Sequence, residues 1–374
     1  MKIGIDGNEA NIKNRVGVNV YCFELLWALY KIRHEWSKKH QLIVYLKNQP
    51  LEDLPPQVSE FKYQLMPGSG MWVVKKLTPY LLKNPDKLDF FFSPNHYGPL
   101  IASMPTCIAI MDLGFLEFSG QFKFKDYWQL KLWTAYSVII SKCIISISNS
   151  TKKDIVRHYP YAKNKTFVTH LAYDKQKFNQ SMSIGDVRRI KKKYSIVNDY
   201  ILFLGTLKPS KNIEGLLDAW KLISEEFNQL NLVIAGKKGW LYSSIFEKIQ
   251  NENIKNVIFT DFLAEEDKPA IIAGAKVFVL ASFWEGFGLD VLNALASGVP
   301  VVVSDKGSLP EVAGDVGIVV DPYDPSSISQ GLKKVLSQSK SEYNRLVAQG
   351  LKQAAKFDWN DTARKTLSII EKYQ

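Results

Sequence analysis

Glu285-Gly286-Phe287-Gly288 sets a carboxylate and two glycines directly before residues 289–296, where Leu289, Leu292 and Ala296 recur at helical spacing. Glycine lets a backbone come close to a ligand, and the first N–H groups of such a helix have no helical partner. An anion such as a diphosphate placed there would meet free donors and the positive end of the helix dipole. Glu285 could accept hydrogen bonds from sugar hydroxyls, or could simply be an acidic residue favoured at a helix N-terminus. Lys211 is the second candidate. It lies in the loop 206–212, between an apolar run and a helical one, where a lysine can neutralise a phosphate as a point charge. Most loop lysines are merely solvated, so spacing alone leaves both readings open.

The surrounding elements explain how such residues would be held. Residues 277–280 form a short, β-branched, buried-strand run; Gly298 then ends the helix and Pro300 prevents its return before the next strand, 299–303. This is a βαβ crossover with its loop at the carboxyl edge of a parallel sheet. The same grammar recurs in a strand ending at Gly205, another ending at Gly236 before the basic turn Lys237-Lys238-Gly239, and residues 257–259 before Asp261-Phe262-Leu263. Upstream, residues 3–5, 41–46, 90–93, 106–110, 143–148 and 166–171 read as strands. The loop 6–19 contains Gly17 but lacks Gly-x-Gly-x-x-Gly, so no dinucleotide fingerprint is present. Alternating strands and helices in both halves predict an α/β protein with two doubly wound Rossmann-like domains facing across a cleft.

Length and composition agree. With 374 residues, 46% hydrophobic and 23% charged, two globular domains with ample core are expected. Residues 1–180 hold 24 Lys+Arg against 14 Asp+Glu, a net of +10, and the remainder holds 24 against 23, a net of +1. That asymmetry points the first half toward something anionic. Residues 70–83 and 121–133 interleave lysines with aromatic and aliphatic side chains; each reads as a helix packed on the sheet or as a segment lying on an anionic membrane surface. The basic residues form no recognised nucleic-acid module. Three cysteines in apolar contexts, no apolar run of membrane-spanning length and no apolar signal core at the N-terminus suggest a cytoplasmic protein, with peripheral attachment to the inner face of the membrane left open. No Asp-x-Asp occurs, so a metal-bridged diphosphate is not indicated, and no cofactor is expected.

The segment 281–304 resembles the signature of retaining glycosyltransferases of family 4, with the GT-B fold, whose pattern is Glu-x-Phe-Gly-x-x-x-x-Glu. Glu285, Phe287 and Gly288 match, Asn293 holds the second glutamate position, and GVPVVVSDKGSLPEVAGDVGIVVDP continues the likeness. The resemblance implies an N-terminal acceptor-side domain (1–180), a C-terminal donor-binding domain (181–356) and a last helix, 357–374, crossing back onto the first domain. It implies that Glu285 holds sugar hydroxyls, Lys211 the diphosphate, and position 293 the ribose. Phe287, Gly288 and Leu289 would border the donor, as would Gly205, Gly236 and Phe262, the last through a backbone contact to the base. Gly17 would approach the donor's phosphate or sugar, and Asp112 would be a sugar-contacting or structural carboxylate. In the family 111–112 is usually His-Asp; here Met111 stands first, and Ser210 replaces an arginine beside Lys211.

The function implied is metal-independent transfer of a hexose, mannose or glucose, from a nucleoside-diphosphate sugar to a hydroxyl of a glycan or lipid-linked acceptor with anomeric configuration retained. With Asn293, Met111 and Ser210 off pattern, a degenerate GT-B subunit that binds glycan or a partner enzyme without catalysis is the alternative. A sugar-nucleotide epimerase or hydrolase of the same fold is a third reading.

Overall fold

The structure is a computed structural model that describes residues 1–118, 120 and 123–373. Gln121 and Phe122, at the start of the second basic–aromatic segment, lie outside the described residues. The chain divides into two compact units: Met1–Leu171 together with the C-terminal segment from Asp358, and Ala172–Phe357.

The first unit is built on seven strands: β1 (Lys2–Asp6), β2 (Gln41–Leu46), β3 (Phe61–Leu65), β4 (Phe90–Ser93), β5 (Thr106–Ile110), β6 (Cys143–Ser146) and β7 (Thr166–Val168). They pair in parallel in the order β3-β2-β1-β4-β5-β6-β7. Every residue of β4, β5 and β6 is buried, which is why these strands read as unbroken apolar runs: both faces of the sheet are covered. The strand order reverses between β1 and β4, so the loops after those strands open where ligands collect in such sheets. The helix Val18–Lys31 buries Tyr21, Cys22, Leu25 and Leu29 against this sheet. The C-terminal helix Trp359–Lys372 packs beside it. The Trp359 and Tyr21 rings lie 6.2 Å apart, Thr362 Oγ1 donates to the His170 carbonyl at 2.6 Å, and the Arg364 guanidinium forks onto Glu35 at 2.8 and 2.9 Å. All three cysteines are free and buried.

The second unit carries six strands: β8 (Asp199–Leu204), β9 (Leu230–Ala235), β10 (Val257–Asp261), β11 (Val277–Leu280), β12 (Val301–Ser304) and β13 (Ile318–Val320). Their order is β10-β9-β8-β11-β12-β13, again all parallel, with the reversal between β8 and β11. Helices Ile213–Ile223 and Pro325–Leu336 pack on each other, as do Leu289–Ala296 and Lys340–Ala354. At the carboxyl ends of β8 and β9 two glycines stand back to back. Gly236 has φ 142°, and a Cβ built on it would lie 2.0 Å from the Gly205 carbonyl oxygen. No side chain can occupy that point without parting the two strand ends.

Gly236→Ala should therefore lower the stability of the second unit by at least about 2 kcal/mol, through the disfavoured φ together with the backbone clash. Thermal unfolding followed by circular dichroism should show a clear drop in midpoint, and an unchanged midpoint would contradict this packing.

Candidate functional site

The loops after β8 and β11 are the two that border the strand-order reversal of the second unit, and hydrogen bonds lace them together. The single 3-10 turn Pro209–Lys211 delivers the chain to Asn212, which adopts φ 53° in the left-handed region tolerated by asparagine. The Asn212 amide then donates to the carbonyls of Ala281 (3.0 Å) and Pro322 (2.6 Å), and Phe283 N–H donates to the Ser210 carbonyl at 2.9 Å. A third loop joins from β9, where Leu207 N–H donates to the Lys237 carbonyl and Gly239 N–H returns to Leu207, each at 3.0 Å.

This lacing sets the Lys211 ammonium on the Glu285 carboxylate as a hydrogen-bonded ion pair. The lysine stem passes over Gly205, where an added Cβ would lie 3.6 Å from Lys211 Cε. Both side chains are mostly withdrawn from solvent, 16% and 14% exposed, so salt screens the pair weakly and loss of either partner strands a poorly hydrated charge. Glu285 is also held through its backbone. Its carbonyl accepts from Ser308 N–H at 3.2 Å and Ser308 Oγ at 3.0 Å, an approach that Gly307 permits at φ 61°. Gly288, at φ 89°, opens the helix Leu289–Ala296; a Cβ there would meet Leu309 Cδ2 at 2.5 Å. Phe287 points inward and meets Phe357 edge to face at 5.8 Å.

Lys211, Glu285, Gly205, Phe287, Gly288 and Leu289 thus stand at the ends of β8 and β11. Gly236 supports the group from behind Gly205. Phe262 stands apart: it is 64% exposed at the end of β10, two strands from β8, roughly 10 Å away. Asn293 is buried on the first turns of its helix, its Nδ2 donating to Asp290 Oδ1 at 3.2 Å, and its Oδ1 has no hydrogen-bond partner among the described residues.

Asp290 is a residue that sequence reading passed over. Burial pushes its carboxyl pKa up, while Lys268, Lys211 and the Asn293 amide pull it back. Its signal in the sequence is its place three residues before Asn293, one helical turn away, where two side chains meet. Asp290 and a glutamate at 293 would be two adjacent carboxylates in a poorly hydrated site. An amide at 293 avoids that repulsion, which gives the departure from the family pattern a physical reason.

Gly17 and Asp112 belong to the first unit. Gly17, at φ 54°, precedes the helix Val18–Lys31, and an added Cβ there would have no atom within 4 Å. Asp112 Oδ1 accepts from Gly114 N–H at 2.8 Å, a turn-forming bond. Beside it, Met111 N–H donates to His96 Nε2 at 3.3 Å, and Thr151 Oγ1 donates to the Met111 carbonyl at 3.2 Å. Burial lowers the His96 pKa against the opposing pull of Asp112, and its Nδ1 has no hydrogen-bond partner among the described residues. The histidine thus reaches position 111 from the loop after the neighbouring strand β4, fifteen residues earlier in the chain, a proximity with no periodic signature in sequence.

Residues 186–353 match the family model described as "Glycosyl transferases group 1". O-antigen chain mannosyltransferase B of Escherichia coli is 30% identical over 340 residues, covering 90% of this chain and 84% of that protein. The chain belongs to the glycosyl transferases group 1 family. The serotype-specific mannosyltransferase WbdA of Escherichia coli is 28% identical over 261 residues, 66% of this chain and 30% of that longer protein. The crystal structure of Anabaena Alr3699/HepE in complex with UDP-glucose superposes with a TM-score of 0.73 at 15% identity, covering 100% of both chains. This glycosyltransferase has the GT-B fold, two parallel-sheet α/β domains. None of its described helices is long and apolar enough to cross a membrane.

Because the folded state raises the Asp290 pKa, the cost of its partly desolvated charge is present at neutral pH and disappears as pH falls toward the ordinary value of 3.8. Asp290→Asn, which keeps an oxygen to accept from Asn293, should raise the thermal midpoint at pH 8 and give no gain near pH 4. Equal effects at both pH values would contradict the partial desolvation of this charge.

Proposed function

We propose that this glycosyltransferase moves a hexose of mannosyl type from a nucleoside-diphosphate sugar to a hydroxyl of a glycan or lipid-linked acceptor, with anomeric configuration retained and no divalent ion or cofactor. The observation that carries the proposal is the Lys211–Glu285 ion pair at the start of the helix Leu289–Ala296. It combines a cation and helix-end amides for a diphosphate with a carboxylate for sugar hydroxyls in one small, partly dehydrated volume. The mannosyl assignment rests on the relatives named above as mannosyltransferases.

In this reading the diphosphate lies against Lys211 and the N–H groups that open the helix, and Glu285 accepts hydrogen bonds from the hexose hydroxyls. The bond between C1 and the phosphate oxygen breaks while C1 bonds to the acceptor oxygen, whose proton passes to the departing phosphate. Negative charge grows on the diphosphate as it leaves, so the lysine and the amides stabilise the transition state more than the bound donor. Asn293 Oδ1 and the Asp290 carboxylate offer two acceptors for the ribose diol. Gly17 and Asp112, in the first unit, are proposed to contact the donor's phosphate or sugar.

The off-pattern residues support a second reading, a subunit that binds glycan or a partner enzyme without transfer. Ser210 is buried and supplies a carbonyl rather than a cation beside Lys211. A calorimetric panel of nucleoside-diphosphate sugars, with donor hydrolysis assayed in parallel, separates the two. A transferase gives micromolar heats and slow hydrolysis with at least one donor; a purely binding subunit gives neither.

Lys211→Ala and Glu285→Ala should each reduce turnover by about 100-fold or more with the fold retained by circular dichroism, and unchanged turnover would remove the roles assigned to them. Asn293→Glu should weaken donor binding rather than restore it, because Asp290 already occupies the neighbouring position. Asp290→Val combined with Asn293→Glu should recover the loss. A tighter donor Kd for Asn293→Glu alone would argue against the shared Asp290–Asn293 subsite.

A further inference from the structure

The helix Phe124–Ile140 inverts the usual polarity of a surface helix. Its inner side follows the expected pattern, with Thr134, Ser137 and Val138 buried and Tyr127 and Leu130 packed on the core around Ile108, Phe115 and Ile144. Its outer side should then be polar. Instead Phe124 (80% exposed), Trp128 (39%), Leu132 (62%) and Tyr136 (42%) recur every fourth residue, so one unbroken apolar stripe faces solvent along more than three turns.

The stripe continues beyond its own helix. Tyr136 Oη donates to the Leu100 carbonyl at 2.7 Å, and Leu100 N–H donates to Thr78 Oγ1 at 3.0 Å. These bonds join the helix through the segment 97–103 to the helix Thr78–Lys83, and the links between carry Ile101 and Leu82, 52% and 50% exposed. The described parts of the two basic–aromatic segments, about fifty residues apart in sequence, are therefore joined on one side of the first unit.

Its charge is one-sided. Lys83, Lys125 and Lys131 lie on the two helices and Lys75, Lys76 and Lys123 in the residues leading into them, against the single carboxylate of Asp126 in segments 70–83 and 121–133. Lys131 extends over the Trp128 ring at 4.9 Å, its stem covering apolar surface while its ammonium stays at the edge. A protein partner or a second copy of this chain would need acidic groups set opposite these lysines, and a second copy would bring six more lysines to the same face. A fluid anionic surface meets both requirements at once: acyl chains and glycerol for the aromatic and leucine side chains, and headgroup charge for the lysine rim.

We infer that this face, formed by the helix Phe124–Ile140 and the helix Thr78–Lys83, docks the protein on an anionic lipid bilayer. The apolar stripe enters the interfacial layer and the lysines engage phosphate-bearing headgroups. No residue of the donor site takes part, so the docking stands or falls independently of the proposed transfer reaction.

The test is sedimentation of the full chain with large unilamellar vesicles of phosphatidylcholine alone and with 30 mol% phosphatidylglycerol (roughly the anionic fraction at which polybasic attraction is strong), at low salt and at about 0.5 M salt. Analytical ultracentrifugation without lipid accompanies it. The expected result is a monomer that binds anionic vesicles, with about tenfold or greater weakening on neutral vesicles or at high salt. The combined variant Phe124→Ser, Trp128→Ser, Leu132→Ser should also bind about tenfold more weakly, with unchanged circular dichroism. Should those substitutions disturb the fold, Lys75→Gln, Lys83→Gln, Lys125→Gln, which lie at exposed positions, should give the salt-sensitive part of the loss alone. Equal binding by wild type and both variants, or no binding to anionic vesicles at low salt, would overturn the inference. So would a wild-type dimer that the serine variant converts to a monomer.

Discussion

The second unit is organised around a lysine and a glutamate that are 74 residues apart in sequence yet form an ion pair where the strand order reverses. Two charges at about fifteen per cent exposure are costly to bury unless each is paired, so everything around them has to keep the pair intact. The surrounding hydrogen bonds do this through the backbone. The Asn212 amide holds the β11 loop, the Ser210 carbonyl holds Phe283, and Ser308 holds the Glu285 carbonyl. The glycines at 236, 288 and 307 are required by the same arrangement, because at each of those points another atom occupies the space of a side chain and the chain turns through a positive φ.

Such a pair suits a site that receives an anion. The lysine is satisfied by Glu285, so the site avoids an uncompensated buried charge. A diphosphate offers the same ammonium a second anionic partner, and the helix start beside it adds the positive end of the helix dipole. The carboxylate is then positioned for hydroxyl groups on whatever the diphosphate carries. One arrangement of charges thus serves both the stability of the loop cluster and recognition of a donor.

The two units share an architecture but use it differently. Both place a glycine-bearing loop and a helix start where the strand order reverses. In the second unit that region is compact and charged. In the first, Gly17 faces open space, and the polar groups nearby are satisfied largely among themselves, Asn19 on Glu9 and Asp112 on Gly114 N–H. The first unit also carries the lysine-rimmed apolar face, in keeping with its share of the net charge.

Much of this was legible in the chain before any coordinates. Continuous β-branched runs bounded by glycine and proline determine buried parallel strands, because only a sheet covered on both faces tolerates such runs. Glu285, Phe287 and Gly288 at fixed spacing mark the loop before a helix, and the resemblance they carry implied Lys211 as the diphosphate-binding lysine. What the tertiary structure alone decided were contacts between loops that no periodicity encodes: the closure of Lys211 onto Glu285, the placement of His96 against position 111, and the joining of two basic–aromatic segments on one side of the first unit. Asp290 shows the limit most clearly. Its spacing from Asn293 is plain in the sequence, but its partial desolvation, and so its effect on which residue can stand at 293, follows from the packing around it. Local chemistry is written in residue type and spacing; the dielectric surroundings that give a charge its consequence exist only once distant segments have closed over it.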